Sequence, residues 1–330
     1  MDDYELPVER AQSLAQHNGD LSLNSCTALS EQAAAILGRH EGGTLWLNGV
    51  RVLSATAATS LAGHEGALSL DGLTSLADDA AAALGRFTHG LSLDGLSSIS
   101  DAAAEALAAH EGSLWLNGLT TLSDRAAAAL GRHNGSLWLN GLTTLAPAAA
   151  EGLARLGSFL SLDGITTLTA DAAAALAAHP GDLSLDGLTA VTDDVAAALG
   201  RHRGMLRLSG ITALSETAAR GLAQRSRVLV LNGLGPLPDA IAGALAAHVG
   251  LLYLNGLTDL SPSAAAQLAQ HAGDLYLDGL RTLDSQAARE LARHSGWLYL
   301  NGLKSLEDDA GTALQHKPGL ALPERLLAAR

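Results

Sequence analysis

Apolar residues return along this chain every 23 residues, and the spacing changes character inside each copy. In Leu114-Trp-Leu-Asn-Gly-Leu-Thr-Thr-Leu122 the apolar and outward positions alternate, as in a short strand and its turn. In Ser-Asp-Arg-Ala-Ala-Ala-Ala-Leu130 the apolar residues cluster at helical spacing, and the next copy opens at Leu137. Thirteen openers run from Leu21 and Leu45 to Leu298, and only the first unit departs from 23 residues, having 24 with an extra glycine at Gly42-Gly43. Numbered from each opener, positions 1, 3 and 17 are Leu in all thirteen units, and position 5 is Gly in twelve, Ser25 being the exception. A fixed period of this length predicts a solenoid, whose units cannot bury a core alone and must stack on their neighbours.

The pattern predicts a short strand over positions 23 to 4, with positions 1 and 3 inward and 23, 2 and 4 outward. Asx-Gly at positions 4 and 5 should end the strand, the glycine accepting a positive φ. Position 10 supplies N-caps at Ser30, Ser54, Ser100, Thr169, Thr192 and Asp284. A short helix through the alanines should pack positions 13 and 17 on the core, with Gly at position 22 at its exit. The expected fold class is an α/β repeat solenoid, a curved horseshoe with a parallel β-sheet on its concave face and short helices on its convex face. Residues 1–20 read as an N-terminal partial repeat or cap, 21–320 as thirteen repeats, and 321–330 as a C-terminal cap, with Leu320-Ala-Leu322 beginning a fourteenth strand.

The Leu-x-Leu pair, followed by apolar residues at positions 6 and 9, resembles the leucine-rich repeat family. The family's usual asparagine-ladder position is apolar here (Leu119, Leu142, Ile165). In that respect the chain is most similar to the 23-residue class of bacterial surface antigens. The resemblance implies a binding scaffold, usually for protein, and no particular ligand.

Composition narrows the partner. The balance of 34 acidic against 20 basic residues gives a net charge of −14, which disfavours nucleic acid and favours a basic protein segment. No apolar run approaches the ~18 residues of a membrane span, and the first residues lack the basic and apolar regions of a signal peptide. Cys26 stands alone at inward position 6, which reads as a packed core thiol in a reducing compartment. The expected location is cytoplasmic. Eighteen Arg against two Lys, with abundant Ala and Gly, fits a bacterial gene.

Aromatic residues make up only 3% of the chain, yet eight of the ten fall at positions 2 and 23. They are Trp46, Trp115, Trp138, Phe159, Tyr253, Tyr276, Trp297 and Tyr299, all expected on the outward strand face. Stacked rings stabilise adjacent strands, but exposed aromatic clusters also mark interfaces. Position 4 is Asn or Asp except at Ser209. Asp71, Asp94, Asp163 and Asp186 are either turn caps or an acidic stripe for a basic peptide. Serine at position 2 accompanies Asp at position 4 in units three, four, seven and eight, and tryptophan accompanies Asn, which suggests two surface patches.

Ten of the twelve histidines occupy position 20, at the helix exit, and a feature repeated in nearly every unit is architectural. Six basic residues crowd between Arg201 and Arg227, where Arg225 displaces the histidine column and Arg227 the glycine column. Arg207, Arg225 and Arg227 could form an anion patch, or the lapse could be a bend. No nucleophile elbow, phosphate loop or paired-cysteine motif is present, so no catalytic residue, metal site or cofactor is expected. The expected function is a non-enzymatic protein- or peptide-binding scaffold that uses its concave aromatic and Asx residues, with self-association left open. The alternative is a carbohydrate-binding solenoid, because flat rings beside Asn or Asp suit sugars.

Overall fold

The computed structural model describes residues 4–306 and 308–327, and the chain divides into two compact units, Met1–Gly164 and Ile165–Arg330. The same repeat builds both. In the first unit, strands Leu21–Ser22, Leu45–Trp46, Leu68–Ser69, Leu91–Ser92, Leu114–Trp115, Leu137–Trp138 and Leu160–Ser161 pair in parallel, each with the next in chain order. The second unit repeats this through Leu183–Ser184, Met205–Arg207, Val228–Val230, Leu251–Tyr253, Leu275–Tyr276, Leu298–Tyr299 and Leu320–Ala321. A helix follows each strand, usually of seven residues, as at Asp124–Leu130.

Inward leucines and helix alanines make the core of each unit. In the sixth repeat Leu137, Leu139, Leu142, Ala149, Ala150 and Leu153 are all buried. Six expected N-caps form as the pattern predicts: the side chains of Ser30, Ser54, Ser100, Thr169, Thr192 and Asp284 each accept the N–H three residues on. Cys26 is fully buried and its thiol reaches Ala28 O at 2.9 Å; burial pushes the thiol pKa up.

The strands are shorter than the pattern predicts. Instead of spanning positions 23 to 4, most have two residues, because main-chain pairing ends at position 3. Leu114 N–H donates to Ser136 O and Leu116 N–H to Trp138 O, both at 2.9 Å. At position 4 a side chain takes over: Asn140 N–H donates to Asn117 Oδ1 at 3.1 Å.

The role expected for the repeated glycines is also corrected. Among the described residues, positive φ occurs only at Gly19, Gly42, Gly43 and Gly319, so it marks the inserted turn and the end repeats. Glycine at positions 5 and 22 serves close approach instead. A Cβ on Gly141 would lie 2.3 Å from Asn117 O, and one on Gly135 would lie 1.8 Å from Gly112 O. Each clash is with the backbone of the preceding repeat.

At the amino end, helix Val8–Leu14 packs with Leu6 and Ala11 buried, and Glu5 bridges to Ala28. At the other end Leu298 pairs with Leu320, 22 residues on, so the last repeat is one residue shorter than the period.

Two glycines separate conformational freedom from close approach. Gly141→Ala should destabilise by about 1–3 kcal/mol or more, since a buried backbone must give way. Gly157, where an added Cβ meets nothing within 4 Å, should accept Ala without loss. Thermal unfolding of the two variants is the check.

Candidate functional site

The strand face carries the aromatic residues in two groups, one in each unit. Parallel register places position 2 of consecutive repeats side by side, about 4.8 Å apart. In the first unit Trp115 and Trp138 stack with ring centroids 4.6 Å apart and planes 14° apart, and Phe159 tilts against Trp138 at 5.5 Å. In the second, Tyr253 and Tyr276 stack at 3.8 Å, Tyr276 and Tyr299 at 4.1 Å, and Trp297 lies 6.0 Å from Tyr299. Burial in the stack, then the Tyr253 and Tyr299 hydroxyls, push the Tyr276 phenol pKa up. These rings are half-exposed, and Trp297 is exposed. Phe87, outside positions 2 and 23, is a core residue.

Position 4 forms a ladder between repeats. Asn24, Asn48, Asp71, Asp94 and Asn117 each accept, through Oδ1, the position-4 N–H of the following repeat at 2.8–3.1 Å. Asn140 does the same for Asp163, and Asn232, Asn255 and Asp278 continue the device in the second unit. An asparagine and an aspartate serve equally, because the bond needs only one oxygen. The second oxygen of each aspartate is therefore available to other donors: Ser69 reaches Asp71 Oδ2 at 2.9 Å and Ser161 reaches Asp163 Oδ2 at 2.9 Å. Asp186 takes the Arg207 guanidinium, Nη2 to Oδ2 at 2.8 Å.

Between Trp46 and Trp115 the face opens into a trough of about 370 Å³. Its floor includes Ala67, Ser69, Gly90 and Ser92, with Asp71 and Asp94 along one side. Thr44, Ala67 and Gly90 are members that the sequence reading did not single out. Ala67 and Gly90 carry a signal in the sequence, as small residues at position 23 next to serines at position 2.

The three arginines of the irregular stretch do not share one partner. Arg207 sits on Asp186 and Arg227 lies 3.6 Å from Asp182. Arg225 is exposed and lines a separate cavity of about 780 Å³ with Glu216, Arg220, Asp239 and Gln267. Ser226, not Arg225, takes the buried place at this helix exit. The preceding helix ends at Ala223 with ψ of 10°, unlike the regular exits.

The histidine column is buried architecture. His40, His110 and His133 reach carbonyls of the preceding repeat (Gly19, His89 and Gly112) at 2.7, 2.7 and 2.9 Å. Neighbouring rings stack, His40 on His64 and His110 on His133 at 5.5 Å, and His248 on His271 at 5.9 Å. Lys317 occupies the same position in the last repeat and donates to His294 O, Gly296 O and Pro318 O at 2.8–3.1 Å. At His40, His110, His133 and Lys317 the position thus reaches the preceding repeat's exit carbonyls, while His179 and His202 face Asp182 O and Met205 O of their own repeats. His17 is exposed. Among the described residues no group of three His, Cys, Asp or Glu side chains could hold a metal ion, and no helix is long and apolar enough to cross a membrane.

No protein-family model matches the chain, and no curated protein matches it. Solved structures do. An internalin (inlF) from Listeria monocytogenes aligns with a TM-score of 0.51 and 19% identity, over 96% of this chain and 88% of that one. A chain of the Drosophila Toll–Spatzle complex aligns with a TM-score of 0.56 and 14% identity, over 88% of this chain and 40% of that one. The stacked Leu-x-Leu strands, the 23-residue period and these likenesses define the fold as an α/β leucine-rich repeat solenoid.

Burial depresses the histidine pKa values, holding His110 and His248 down to about 4 and lowering His64, His133, His202, His271 and His294. The unfolded chain then binds more protons than the folded one, so stability falls as pH drops from about 6.5 towards about 4. Each fully depressed ring should account for on the order of 2–3 kcal/mol of that loss. Replacing His248 with Leu, the residue this position holds at Leu156, should reduce the slope of melting temperature against pH across this window.

Proposed function

We propose that the protein is a non-enzymatic scaffold that binds another protein or a peptide across its strand face. One observation carries this reading: a chain with ten aromatic residues sets eight of them half-exposed or exposed on that face. Ring stacking between repeats satisfies one side of each ring and leaves edges and end faces to solvent. Rigid aromatic surface of this kind contributes contact area at little entropic cost and is enriched where binding energy concentrates. The Toll chain with the same fold was solved in a complex with a protein, Spatzle, which supports a protein partner. The net charge of −14 and the aspartates of the ladder favour a basic segment in that partner.

Selection from a displayed random-peptide library tests the reading. Binders to the wild-type chain should lose at least tenfold in affinity, about 1.4 kcal/mol, against Tyr253→Ala/Tyr276→Ala/Tyr299→Ala or against Trp115→Ala/Trp138→Ala. Both variants should keep the far-ultraviolet spectrum of the parent. Binders that tolerate both variants would move the site off this face, and a glycan array that lights up while the peptide library stays blank would favour a sugar ligand.

A further inference from the structure

Resting on that reading, we propose that the Trp46–Trp115 trough is a receptor for an arginine side chain of the partner. The trough lies wholly within the first unit, and register fixes its plan. Trp46, Ser69, Ser92 and Trp115 are consecutive position-2 residues on four paired strands, so the two indoles stand three strand spacings apart, about 14 Å. Trp115 leans inward. A Cβ placed on Gly90 would lie 3.1 Å from its ring, and its other face is covered by Trp138. The stacked neighbour fixes the wall, and glycine at position 90 makes room for it.

Charge chooses the occupant. Asp71 and Asp94 line the trough on adjacent strands, where like charges repel. Their bonds come from neutral donors. Asp71 accepts from Asp94 N–H and from the hydroxyls of Ser69 and Ser92, and Asp94 from the main-chain and side-chain N–H groups of Asn117. None of the ion pairs among the described residues involves either carboxylate. Two negative charges thus remain beside an aromatic wall, a setting that favours a planar cation, which can stack on a ring while its N–H groups meet a carboxylate.

The second unit contains the filled version of this arrangement. There Arg207, at position 2, places Nε and Nη2 at 3.2 and 2.8 Å from Oδ2 of Asp186, the position-4 aspartate of the repeat before it. The residue in the equivalent relation to Asp71 is Ser92. Serine leaves open the space that the arginine side chain fills over Asp186. A guanidinium arriving from a partner would take the place over Asp71 that the chain fills for itself over Asp186.

The test uses the full chain, labelled with nitrogen-15, and the peptide acetyl-Gly-Ser-Arg-Ser-Gly-amide. Its counterpart carries citrulline, which keeps the shape of arginine and loses the charge. Saturable shifts of the Trp46 and Trp115 indole N–H signals are expected with the arginine peptide, while Trp297 stays still. Citrulline should weaken binding at least tenfold, and lysine should bind more weakly than arginine. Asp71→Asn/Asp94→Asn should also weaken binding at least tenfold while keeping the parent melting temperature, because Asn already serves the ladder at positions 48, 117 and 140. Ser92→Arg should abolish binding by filling the trough from within. Equal binding of the citrulline peptide, undiminished binding by the double Asn or the Ser92→Arg variant, or absence of a Trp46 or Trp115 shift would each overturn the proposal. The citrulline and Ser92→Arg comparisons decide it even if the double variant does not fold. Library binders that depend on the aromatic face but contain no required arginine would sink this inference and leave the scaffold reading standing.

Discussion

Consecutive repeats sit so close that backbone meets backbone, and the sequence is built around that contact. At Gly118, Gly141 and Gly164 an added Cβ would fall 1.9–2.3 Å from a carbonyl oxygen of the preceding repeat. The same holds on the other side of the unit at Gly112, Gly135, Gly250 and Gly273. Between these contacts the helices present alanine to one another and leucine to the core, as Ala126, Ala127 and Leu130 do. Polar groups closed off by such proximity need partners from the neighbour. The Asx ladder and the histidine column provide them, one at the end of the strand and the other at the end of the helix.

This division explains which positions are free to vary. Positions 4 and 5 are tied to the preceding or following repeat, so position 4 stays Asn or Asp except at Ser209 and position 5 stays Gly except at Ser25, while position 20 is His in nine of the thirteen repeats. Position 2 points away from the core, and its side chain is not needed for pairing of the strands. It ranges from serine through arginine and valine to tyrosine and tryptophan. The candidate interface is built at that position, on a floor held by position 4. An aspartate in the ladder can thus hold its neighbour with one oxygen and offer charge with the other.

The strand, helix, caps and core were legible because thirteen copies carry one pattern, and a single anomalous residue cannot mask it. The contacts between copies were less legible. Glycine at position 5 suggested a left-handed bend when a unit was considered alone; only the neighbouring Asn117 carbonyl beside Gly141 shows that bulk is what must be absent. Asp71 and Asp94 suggest turn caps or an acidic stripe, and a unit considered alone does not show that Asp71 accepts the Asp94 N–H at 3.0 Å. Arg225 was grouped with Arg207 and Arg227 by proximity in sequence. The altered helix exit at Ala223 exposes it on a different surface and buries Ser226 instead.

Stability passes from repeat to neighbouring repeat through these contacts, and hydrogen exchange on a Leu139→Ala variant measures how far a local loss spreads. Leu139 is fully buried in the sixth repeat, and truncating it should cost roughly 2–5 kcal/mol. Protection should be lost mainly between residues 114 and 164, in the repeats that flank the cavity, because solenoid contacts are nearest-neighbour. Amides of the second and eleventh repeats should keep their parental rates. A uniform rise in exchange across all thirteen repeats would rule out nearest-neighbour coupling.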